Sequence, residues 1–167
     1  MTKTIAQGAH AMRKAFLASA VVIAAASTAS ADSAVQNLAG RWSGQGALET
    51  SAGTRETVKC VVTYEVKSGN SVINQNLRCA SASYKIDALT QMTVAAGQLS
   101  GTWAESSFGT SGTVSGQVRS GGFTIVVDGG LFSARMSVAS GKSSQTLNIL
   151  PAGLAVTKIS IGLKRSS

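Results

Sequence analysis

Few side chains in this sequence are equipped for covalent chemistry, and their spacing decides what each can do. Cys60 and Cys79 are the two cysteines. They lack the C-x-x-C spacing of a redox-active dithiol, so the chemistry they offer is a structural bridge. Ser83 and Lys85 stand two apart, which on a strand places both on one face. A Ser-Lys nucleophile needs an activating base, and a lysine on a wet face stays protonated and serves poorly. Gly141-Lys142-Ser143 has the form of the end of a phosphate-binding loop. That loop requires a Gly five positions before Gly141, where Met136 stands, and a helix after it. The seven acidic residues are dispersed, and none is paired by spacing for acid–base work. These residues predict no catalytic site, no metal site and no cofactor, and hence a protein that is not an enzyme.

The single His, His10, sits in a segment built for export. Residues 15–26 read AFLASAVVIAAA, preceded by Arg13 and Lys14 and followed by Ala29-Ser30-Ala31. A basic flank, an apolar stretch and an A-x-A exit form a secretory signal peptide. The stretch is shorter than the roughly 20 residues of a membrane-spanning helix. Cleavage is expected after Ala31. Met12-Arg13-Lys14 has the form of a short signal's start, so translation is expected to begin at Met12. The division is then residues 1–31 as signal peptide and residues 32–167 as one domain, periplasmic or secreted, with no membrane span after cleavage. Removal of His10 leaves no imidazole, which excludes Ser-His and Cys-His nucleophiles and His-ligated metals.

Of the 15 Lys and Arg, 12 remain beyond Ala31 with all 7 acidic residues, so the net charge falls from +8 to +5. The basic residues are spread singly, with no basic run. Nucleic acid demands clustered positive charge and is not an expected partner. A mildly cationic surface suits anionic envelope polymers or lipid headgroups, or simply solubility.

Beyond Ala31 the hydropathy alternates with period two, broken by Gly-containing turns, with a single Pro at Pro151. That pattern predicts an all-β sandwich or barrel. Ten strands are expected: 41–49, 57–67, 71–80, 83–94, 99–105, 113–119, 122–128, 131–139, 144–150 and 156–164. Each has one apolar and one polar face, as in an antiparallel sheet around a core. Short links such as Gly69-Asn70, Gly129-Gly130 and Ser140-Gly141 suit hairpins. The expected fold is an antiparallel up-and-down β-barrel of about 8–10 strands, closed so that no edge is exposed. Trp42, Tyr64, Tyr84, Trp103, Phe123 and Phe132 are the candidate lining of its interior, either plugging it or bordering a cavity. Gly44, Gly46, Gly101 and Gly116 are expected to open space among them.

A two-residue turn at Gly69-Asn70 fixes one register. Val66 then faces Ile73, Tyr64 faces Gln75, Val62 faces Leu77, and Cys60 faces Cys79. Opposed cysteines in an exported protein form a disulfide. Counted from that turn, they fall at a wide, hydrogen-bonded pair, which a longer turn or a bulge would relieve.

The first strand opens Gly40-Arg41-Trp42, and the last closes Leu163-Lys164-Arg165. This resembles the calycins, the barrel group of lipocalins, fatty-acid-binding proteins and avidins; Gly101-Thr102-Trp103 is similar to their internal glycine-rich strands. The resemblance implies that Trp42 packs beneath Lys164 or Arg165 at a closed barrel end. The function expected from all this is an exported, non-enzymatic, monomeric binding protein for a small apolar or amphipathic ligand or an envelope protein partner. The alternatives are a protease inhibitor, a structural envelope protein or, with the apolar faces turned outward, an outer-membrane barrel.

Overall fold

The computed structural model describes residues 33–69 and 71–166; the expected signal peptide, its cleavage site and Met12 lie outside them. A single helical turn over residues 33–36 leads into ten strands: β1 (Gly40–Thr50), β2 (Arg55–Lys67), β3 (Val72–Ala80), β4 (Lys85–Ala95), β5 (Gln98–Glu105), β6 (Thr110–Arg119), β7 (Gly122–Asp128), β8 (Ser133–Ser140), β9 (Ser144–Ala152) and β10 (Val156–Arg165). Each strand pairs antiparallel with its sequence neighbours, and β10 returns to β1, closing the barrel.

The alternation decides which way each side chain points. On β2, Val58, Cys60, Val62 and Tyr64 are buried, whereas Lys59 and Glu65 between them are exposed. The same inward set recurs around the ring, from Ile73 and Leu77 to Ile159 and Ile161. The outer wall is dominated by Ser, Thr, Asn and Gln, as in Ser100 and Thr102 on β5 or Ser111, Thr113 and Ser115 on β6. An outer-membrane barrel needs the opposite, an apolar band facing outward.

Cys60 lies opposite Cys79 in the register set by Val66↔Ile73 and Val62↔Leu77, and the two are bridged. The turn differs from the expected two-residue hairpin. The strands stop at Lys67 and Val72, so the turn spans four residues. The cysteine Cα atoms are 4.1 Å apart, the spacing of a narrow pair rather than a wide one. The longer turn removes the expected geometric difficulty without changing the register.

Two further departures bear on function. The eighth strand begins at Ser133, not at residue 131, so Leu131 and Phe132 belong to the β7–β8 loop. The inward glycines do not open space. A Cβ on Gly46 would stand 1.9 Å from the Ser160 carbonyl oxygen, and one on Gly101 1.9 Å from that of Gln91. Glycine there lets the strands curl tightly enough to close the ring.

Candidate functional site at the open end of the barrel

The two ends of the barrel are built differently. At one end the N-terminal turn crosses the bore, burying Ala34, Val35 and Leu38. Trp42 is fully buried beneath it, and its Nε1–H donates to the Leu38 carbonyl at 2.8 Å. The Arg165 guanidinium lies over the indole, 4.2 Å from the ring centroid. Its Nε donates to the Lys142 carbonyl and its Nη2 to the Asn37 carbonyl, both at 2.9 Å, and its Nη1 to the Ala39 carbonyl. Arg165 therefore ties the last strand, the β8–β9 turn and the N-terminal segment to one aromatic face. Lys164 points outward and is exposed. Tyr64 and Phe123 fill the bore above Trp42, ring centroids 6.3 Å apart in an edge-to-face arrangement. Gln75 Nε2 donates to the Tyr64 hydroxyl at 3.2 Å, and burial pushes that hydroxyl's pKa up.

The opposite end is less completely filled. Tyr84, Ile86, Ala88 and Phe132 border the core there yet are only half-buried. Phe132 stands edge-on to Trp103, ring centroids 5.5 Å apart. The indole Nε1–H donates to the Asp128 carbonyl at 3.2 Å, which fixes the ring against the start of the β7–β8 loop. That loop carries Gly129 and Gly130, and Gly130 adopts a φ of 80° that favours glycine. Its tip, Leu131, is 96% exposed. The neighbouring loops at the same end present Phe108 and Leu154, also exposed. Three loops thus raise apolar side chains around a half-filled mouth.

Glu105 anchors this rim, a role that its dispersed position in the sequence did not suggest. Its side chain is 6% exposed and accepts hydrogen bonds from the backbone N–H of Asp87 and of Phe108, each at 2.7 Å. Burial pushes the carboxyl's pKa up, but these amides and Ser107 together outweigh burial and hold it below the ordinary value. The carboxylate is occupied as a loop anchor. Ser83 and Lys85 lie beside the β3–β4 turn; Ser83 N–H donates to Glu56 at 3.0 Å, and Lys85 is exposed.

The six aromatic residues expected to line one cavity therefore divide. Trp42, Tyr64 and Phe123 belong to the packed, closed half, and Tyr84, Trp103 and Phe132 to the mouth. A groove of about 970 Å³ lies on the outer wall instead. It runs across β2–β6 between two rows of outward side chains, among them Thr63, Asn76 and Leu89 on one side and Glu65, Asn74 and Gln91 on the other.

Antiparallel closure of ten strands sealed at one end decides the comparison with known proteins. The barrel is similar in fold to a lyase. The solved structure is the S-type phycobiliprotein lyase CPES from Guillardia theta, with a TM-score of 0.58 and 11% identity over 83% of this chain and 93% of that one. No family model and no curated protein matches the chain. The lyase overturns one expectation directly. The sequence was read as excluding an enzyme, yet a protein of this fold is by name a lyase. Lack of imidazole beyond residue 31 removes particular nucleophiles and ligands; it does not remove catalysis from the fold, because function belongs to the site.

Proposed function

We propose that this protein is an exported, calycin-like barrel that holds a small, largely apolar molecule in its open mouth. The ligand would sit against Trp103, Tyr84 and Ile86 after the β7–β8 loop lifts Phe132 away. One observation carries the reading: core-bordering apolar side chains stay half-buried at this end, beneath the exposed Phe108, Leu131 and Leu154. Exposed apolar side chains grouped around a concavity are a frequent mark of ligand entry. The packed half beneath, with Trp42 and Tyr64 fully enclosed, sets the depth the ligand can reach.

Support for the class comes from Trp42 under Arg165 at the closed end and from the fold shared with the phycobiliprotein lyase. Export is supported by the apolar segment with its A-x-A exit and by the Cys60–Cys79 bridge, since such bridges persist in oxidising compartments.

Native mass spectrometry of the protein purified without detergent from its own cells tests the reading. The expected result is an added mass that disappears on denaturation, or saturable one-site uptake of anilinonaphthalene sulfonate by an empty protein. Bare polypeptide together with no saturable uptake would overturn it.

A further inference from the structure

The basic residues are spread along the sequence, but the meander sorts them in space. Arg41, Lys67, Arg119, Lys142, Lys164 and Arg165 all fall at the closed end, at strand ends there or in the β8–β9 turn. Five of the six acids among the described residues, Glu49, Glu56, Asp87, Glu105 and Asp128, fall toward the mouth. The sixth, Glu65, pairs with Lys67 at 3.0 Å. The barrel is therefore polar along its axis, with a cationic base.

Arg165 is turned inward onto Trp42. Arg41, Lys142 and Lys164 surround it and are exposed, and none takes part in an ion pair among the described residues. Their closeness follows from the backbone. The Arg41 carbonyl accepts from Ser166 N–H at 2.8 Å, and the Lys142 carbonyl from Arg165 Nε at 2.9 Å. We infer that this closed end docks on an anionic phospholipid surface.

Three observations favour lipid. The charge is complementary to phosphate headgroups. The exposed large apolar residues, such as Phe108 and Leu131, lie on the outer wall or at the mouth, so contact here is electrostatic and offers no aromatic ring for stacking bases. The chain also enters the barrel at this end, through Ser33. Seven residues separate Ser33 from Ala26, the end of the apolar stretch 15–26, and seven extended residues reach about 25 Å. While that stretch remains attached and lies in a bilayer, the cationic base is the part of the barrel held nearest the headgroups. The same face keeps its affinity after cleavage.

Vesicle co-sedimentation tests this, using protein isolated from cells with its N-terminus mapped. Binding is expected to vesicles containing phosphatidylglycerol and not to pure phosphatidylcholine, and to weaken with salt. Each cation near such a surface contributes roughly fivefold. The Arg41→Ser, Lys142→Ser, Lys164→Ser triple variant should then lose on the order of a hundredfold. A charge-matched Lys59→Ser, Arg135→Ser, Lys158→Ser variant, altered elsewhere on the barrel, should lose much less. Lys142→Ser alone, in a turn, gives a fivefold test (about 1 kcal/mol) with little risk to folding. No binding by the unaltered protein, equal loss in both triple variants, or binding to soluble dextran sulfate but not to vesicles would each overturn the inference.

Discussion

Phe132 meets the face of Trp103 edge-on, ring centroids 5.5 Å apart and planes inclined by 69°. The contact joins a loop residue to a strand residue across the barrel mouth, so it can break without unfolding a strand. Such an aromatic pair contributes about 1 kcal/mol beyond burial, a cost that a bound apolar molecule can offset.

Replacing Phe132 with Ala should therefore open the mouth. We expect uptake of anilinonaphthalene sulfonate to strengthen several-fold, at a stability cost of about 1–2 kcal/mol for a half-buried ring. Parallel dye titration and urea unfolding would check both effects. Unchanged uptake would mean that the ring does not gate the site.

At the other end, Arg165→Ala should cost about 2 kcal/mol, because it removes the cation over Trp42 and strips donors from three carbonyls. Arg165→Lys should recover little, since an ammonium cannot reproduce the planar fork. Urea midpoints of the three proteins would rank the effect.

The Cys60–Cys79 bridge should contribute roughly 3 kcal/mol, the usual magnitude for closing a loop of about 20 residues. A paired Cys60→Ala, Cys79→Ala variant should lose about that much, and the unaltered protein should show no thiols before reduction.

Glu105 makes the mouth acid-sensitive. Its folded pKa lies below its ordinary 4.5, so its stabilisation is complete above that value and is lost as pH falls through the folded pKa. Hydrogen exchange at the Asp87 and Phe108 amides should speed up with acidification in that window. Glu105→Gln should show faster exchange at neutral pH and lose that acid step.

Much of this fold is written in short-range pattern. Period-two alternation marks ten strands, and two cysteines in one hairpin fix a register that the structure shares. Strand ends are less legible, because Leu131 and Phe132 continue an apolar pattern that the Gly129-Gly130 turn interrupts in space. The glycines mislead for a related reason. An absent side chain looks like room, whereas at Gly46 and Gly101 it permits close approach of a neighbouring strand. Glu105 and the cationic base depend on contacts between strands far apart in sequence, which neither spacing nor composition encodes. The fold shared with a lyase shows the same limit for catalysis: missing residue types exclude mechanisms, not activity.

The central claim is that a ligand enters at the mouth, and the two tryptophans report on opposite ends of the barrel. In a Trp42→Phe variant, Trp103 is the sole tryptophan. Titrating it with anilinonaphthalene sulfonate should give saturable energy transfer from Trp103, strongest in a Phe132→Ala background. Dye binding that leaves Trp103 emission unchanged, or no saturable binding in either background, would contradict the account.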